Sequence, residues 1–68
     1  MKVKDFRKVY GSGCYLNLGR ESYSGWIVEG KRLIECDELL SQYNEYPIIN
    51  IYTIDHVESG PTVAIIIP

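Results

Sequence analysis

The residues that could do chemistry in this chain are few: Cys14, Cys36, the single histidine His56, and the glycine-rich Gly11-Ser12-Gly13. A structural zinc site wants four ligands, usually in close pairs. Cys14, Cys36 and His56 stand far apart, with no C-x-x-C or H-x-x-H pair, and nothing in the spacing of Asp55 or Glu58 supports a fourth ligand. The two cysteines are therefore expected to act as small buried hydrophobes. A Cys-His catalytic pair needs contact and a third group to orient the imidazole. Asp55 is adjacent to His56, and neighbouring side chains of an extended segment point apart, so His56 reads as a solvated turn residue. Phosphate-binding glycine loops lie between a strand and a helix, with Lys-Ser/Thr or a third glycine at fixed spacing. Gly11-Ser12-Gly13 instead follows a helical pattern and enters a strand, which makes it a helix stop. No catalytic residue, cofactor or metal ligand is assigned, and an enzyme is not expected from so short a chain with no room for an enclosed pocket.

The surface is better supplied than the chemistry. There are six tyrosines and one tryptophan, the residue types that bury large areas at interfaces while keeping a polar handle. All seven basic residues lie at or before Arg32, and from Glu35 onward there are six acids and no Lys or Arg. An acidic second half could engage a basic groove on another protein, as a nucleic-acid mimic does. The opposing reading is that the halves interleave in space and neutralise one another. The partner-binding candidates are Glu35, Asp37, Glu38 and Glu45, with Tyr43, Tyr46 and Tyr52. Nucleic-acid binding through Lys2, Lys4, Arg7, Lys8 and Arg20, with Tyr10, Tyr15, Tyr23 and Trp26 for stacking, is the alternative. It runs against the excess of acids over bases.

These side chains must be positioned by one small domain, residues 1–68. Such a chain buries little surface and is marginal alone. Val3, Phe6 and Tyr10 form a helical stripe, which predicts a helix over 3–9. Residues 14–18 alternate, with Cys14, Leu16 and Leu18 facing one way and Tyr15 and Asn17 the other. A polar turn over 19–25 leads to a second strand at 26–29, and 30–32 turns it; the two strands read as an antiparallel hairpin. Residues 33–35 form an irregular link. Asp37 is the expected N-cap of a helix over 38–43, with Asn44 in a left-handed C-cap and Pro47 preventing continuation. Two isoleucine-rich strands, 48–54 and 62–67, follow, joined by a polar loop over 55–61. The order α-β-β-α-β-β predicts an α+β domain with a four-stranded, mostly antiparallel sheet and two short helices on one face.

The run 63–67 is apolar on both faces, with Val63, Ile65 and Ile67 on one and Ala64 and Ile66 on the other. A strand with a solvated face does not look like this. Either it is central and covered, or Ala64 and Ile66 are buried by a second copy of the chain, making a homo-oligomer. No apolar run is long enough to cross a bilayer, and the basic N-terminus lacks the apolar segment of a signal peptide. The expected setting is cytoplasmic, with both thiols reduced.

The opening Met1-Lys2-Val3-Lys4-Asp5-Phe6, the strand pair around Cys14-Tyr15-Leu16 and Trp26-Ile27-Val28, the short helix from Asp37, then Ile48-Ile49-Asn50-Ile51-Tyr52 and a terminal aliphatic strand form an outline. It resembles the small proteins of phages and mobile elements in Firmicutes. That resemblance implies a phage accessory role and carries over no catalytic residue. Some phage proteins of this size inhibit host defence, including anti-CRISPR proteins that occupy the nucleic-acid grooves of Cas-type nucleases. The partner implied is therefore a host protein of that kind.

Overall fold

Two hairpins make the sheet, and their inner strands meet at its centre. A computed structural model of the chain describes residues 1–10, 13–56 and 60–68. Strand β1 (Tyr15–Arg20) pairs antiparallel with β2 (Trp26–Arg32), and β3 (Asn50–His56) pairs antiparallel with β4 (Gly60–Ile67). β1 and β4 then run parallel, giving the order β2-β1-β4-β3. Helix α1 (Val3–Val9) precedes the sheet, and a 3-10 turn (Leu33–Cys36) leads into α2 (Asp37–Ser41) between the hairpins. The α+β class, the mostly antiparallel sheet and the two short helices agree with the order read from the sequence.

Alternation sets the faces of the sheet. Leu16 and Leu18 of β1, Val28 of β2, and Val63, Ile65 and Ile67 of β4 form one buried cluster. Val3 and Phe6 of α1, Leu33 and Cys36 of the 3-10 turn and Leu40 of α2 complete it from the other layer. Val3 and Phe6 share a face of α1 because residues three apart are neighbours on a helix. The Asp5 carboxylate accepts the Lys2 backbone N–H at 2.9 Å, and a negative charge in the first turn suits the helix dipole. Two N–H groups that a helix start leaves without intrahelical partners are also taken up: Val3 donates to the Tyr46 carbonyl and Lys4 to that of Asn44.

Several local expectations are corrected. Asp37 is the first residue of α2 and Cys36 holds the N-cap position, because the 3-10 turn already winds into the helix where an irregular link was expected. Asn44 is not left-handed: among the described residues no non-glycine has a positive φ. Successive turns, with Gln42 N–H to Leu39 and Tyr43 N–H to Leu40, close α2 instead. Gly19 and Arg20 are strand rather than turn, because β4 supplies parallel partners as far as Arg20↔Ile67. β2 runs through to Arg32, with Gly30 at φ 64° absorbed as a bulge instead of a turn. His56 closes β3 opposite Gly60 instead of standing in a loop. Gly11 and Ser12 of the expected helix stop, and residues 57–59 of the last loop, lie outside the described residues. β4 is an inner strand, and that accounts for its apolar character on both faces.

Candidate functional site

The face of the sheet away from the helices is built in rungs. The register sets Asn50, Ile66, Gly19 and Trp26 across one rung and Tyr52, Ala64 and Asn17 across the next. Ile54, Thr62, Tyr15 and Arg32 form the third. The inner strands contribute the small Gly19, Asn17, Ala64 and Thr62 beside the large Ile66 and Tyr15. Asn17 and Ala64 are nonetheless fully shielded from solvent and Thr62 nearly so, since bulky side chains stand on the rungs to either side. Gly19 has a packing reason to be glycine: a Cβ there would lie 3.0 Å from Ile66 Cδ1 and 3.1 Å from the Trp26 ring. With no side chain at that position, the indole and Ile66 approach each other over the strand. The result is a shallow groove of about 240 Å3 lined by Gly19, Arg20, Tyr23, Trp26, Tyr52 and Ile66. Tyr23 and Tyr52 are 59% and 40% exposed at its rim. On the third rung the Arg32 guanidinium sits 5.9 Å from the Tyr15 ring centroid, within cation–π range.

The acidic candidates behave differently. Arg7 forms an ion pair with Asp37 and donates to Asn44 Oδ1 at 2.7 Å. Lys2 and Lys4 both reach Glu45, at 3.0 and 3.1 Å. The hydrogen bonds from these two ammonium groups hold the Glu45 carboxyl below its ordinary pKa. The basic first half and acidic second half therefore interleave at these positions. Glu35 and Glu38 are exposed and enter none of the ion pairs found among the described residues. Tyr43 and Tyr46 are half-buried against the core, with ring centroids 5.2 Å apart edge to face. Tyr52 stands on the opposite side of the sheet. The candidate set is thus not one surface: its acids and two of its tyrosines belong to the helix side, and only Tyr52 joins the aromatic groove.

The two proposed self-association residues also part company. Ala64 has no exposed surface within the single chain, while Ile66 reaches the groove. Trp26, Tyr23 and Gly19 as a cluster with Ile66 went unrecognised. The available signal was parity: counting on from Tyr15 and Asn17 puts Gly19 on the outward face.

Cys14 and Cys36 are both free, Cys14 half-buried and Cys36 buried. Burial, reinforced by the neighbouring Glu35 carboxylate, pushes the Cys36 thiol above its ordinary pKa. A thiol that is shielded and slow to ionise is a poor nucleophile. With a chromogenic disulfide reagent at mild alkaline pH, one thiol is expected to react quickly and the other only on unfolding. Cys14→Ser should abolish the fast phase; two equal fast phases would contradict the burial of Cys36. Among the described residues no three His, Cys, Asp or Glu side chains gather as metal ligands would, and no helix is long and apolar enough to cross a membrane. Compared with known proteins, the chain matches no family model, no curated protein and no solved structure.

Proposed function

We propose that this chain is a non-catalytic protein-binding module that presents the helix-free face of its sheet to a partner. The observation that carries the reading is the groove around Ile66, rimmed by Trp26, Tyr23 and Tyr52. Tyr and Trp are enriched among the residues that dominate the energetics of interfaces, because they bury large area in desolvated pockets at low entropic cost. The partner is a host defence nuclease of the Cas type, and the chain is a phage accessory protein acting in the bacterial cytoplasm. This finer assignment draws its support from the resemblance to small phage proteins.

The test is inhibition of guide-directed cleavage by a panel of such nucleases, with binding followed by calorimetry. For a responding nuclease, Trp26→Ala and Tyr52→Ala are each expected to weaken binding roughly thirtyfold, the effect of losing about 2 kcal/mol at a hot spot. Failure to inhibit any of the panel removes the nuclease. Retained affinity in both aromatic variants removes the face. A second reading is favoured by Arg32 over Tyr15 on the same face: single-stranded nucleic acid stacking on the aromatics. A gel shift at low salt decides it, and no shift at tens of micromolar chain eliminates it.

A further inference from the structure

The sheet has two edges, and the chain treats them differently. At one edge, β2 is bulged twice. Glu29 and Gly30 together oppose Asn17, and Ile27 is an extra residue between the partners of Leu18 and Gly19. Glu29, Lys31 and Arg32 on this strand are all exposed. Bulges and edge charges keep a strand from accepting another. The other edge, β3, has no bulge over its pairing with β4. Its seven residues hold unbroken register from Asn50↔Ile66 to His56↔Gly60. It contains no proline, lysine or arginine, and Asp55 is its only acid. Exposed apolar groups flank it on both faces: Ile49 and Ile51, at 48% and 40%, on the helix side, and Tyr52 on the other. An edge strand offers a row of backbone N–H and C=O groups to any strand that can reach it.

We propose that β3 is the docking edge for a second copy of this chain, paired antiparallel with its counterpart about a two-fold axis, so that two four-stranded sheets become one of eight strands. A two-fold interface requires a patch complementary to itself, and β3 meets that condition. With the axis at Thr53, the middle residue of the strand, Asn50 lies opposite His56, Ile51 opposite Asp55, and Tyr52 opposite Ile54. Asp55 faces an isoleucine, so no like charges meet, and aromatic and β-branched residues face each other in favourable cross-strand pairs. A peptide recognised by charge would find little to hold along this strand. The contact lies at the edge instead of at Ala64 and Ile66, and it leaves the groove around Trp26 open.

Sedimentation velocity on the whole chain tests this. A monomer–dimer equilibrium is expected below about 1 mM, the weak end of specific association. Thr53→Lys and Thr53→Glu each place like charges at the axis and should raise the dissociation constant roughly fivefold. An equimolar mixture of the two variants should recover the dimer, and Ile66→Lys should leave it intact. A chain that stays monomeric throughout overturns the proposal. So does a dimer lost in Ile66→Lys but kept in Thr53→Lys, or a mixture that fails to recover. Should the Thr53 variants lose their far-ultraviolet circular dichroism, hydrogen exchange of the unmodified chain takes their place. Protection that rises with concentration in β3 and not in β2 supports the edge, and no such rise in β3 overturns it.

Discussion

Phe6→Ala is expected to bring the chain close to its unfolding midpoint at room temperature. Phe6 has no exposed surface, and its ring lies 4.6 Å, centroid to centroid, from that of Tyr10. Seven residues make α1, fewer than a helix needs to hold in water without tertiary contacts. The helix therefore depends on Val3 and Phe6 in the core and on its backbone bonds to Asn44 and Tyr46. Truncating a buried phenylalanine costs about 3–5 kcal/mol through lost transfer energy and a residual cavity. A domain of this length has roughly 3–10 kcal/mol in total. Near Tm each kcal/mol moves a small domain by about 4–8 °C, so Tm should fall by at least about 12 °C. Urea unfolding followed by Trp26 fluorescence gives the midpoint, with Lys8→Ala, an exposed position on the same helix, changing it little. A Phe6→Ala midpoint equal to that of the Lys8 control would mean that α1 does not pack where it is placed.

What could be read from the sequence is what short range decides. The spacing of Val3 and Phe6 marks the buried side of α1, and the alternation of Leu16 and Leu18 marks the buried face of β1. Punctuation misled where long-range pairing won. Gly19 and Arg20 look like the start of a turn, yet β4 extends their strand from far along the chain. Gly30 looks like a hairpin turn, yet β1 continues past it and its positive φ is taken up as a bulge within β2. No local pattern announces a parallel partner, because its register is decided by two segments that are distant in sequence.

The site divides in the same way. The supply of aromatics was visible, and the outward direction of Tyr15 and Tyr52 follows from strand parity. Their assembly was not, because it turns on an absent side chain at Gly19 and on Ile66 arriving from another hairpin. The acidic half suggested a surface, but charge along a sequence does not say which charges meet. Glu45 finds Lys2 and Lys4, and Asp37 finds Arg7, only because the start of the chain docks against the segment after α2. Such exposed pairs contribute little to stability, and they still draw two acids away from any external partner.

Asn17→Ala is expected to destabilise the chain and to alter how it associates. Asn17 is fully buried, and its Oδ1 accepts the Gly30 N–H at 2.7 Å. That bond spans the bulge where Glu29 and Gly30 share one opposing residue. Removing the acceptor leaves a half-buried N–H unmatched, at a cost of about 1 kcal/mol. Gly30→Ala attacks the same bulge from the other strand, because a Cβ in the left-handed region costs roughly 1–2 kcal/mol. The two act on one local structure, so the double variant should lose less than the sum of the single ones. Urea titrations of the four proteins measure that coupling, and strict additivity would show that Asn17 does not hold the bulge. The second consequence follows from the contrast between the two edges. A β2 released at this bulge keeps its second bulge and its charges but loses one of the devices that guard it, so a chain that pairs through β3 as proposed could then extend from both sides. Light scattering on Asn17→Ala should therefore show species larger than a dimer at concentrations where the unmodified chain stops at two copies.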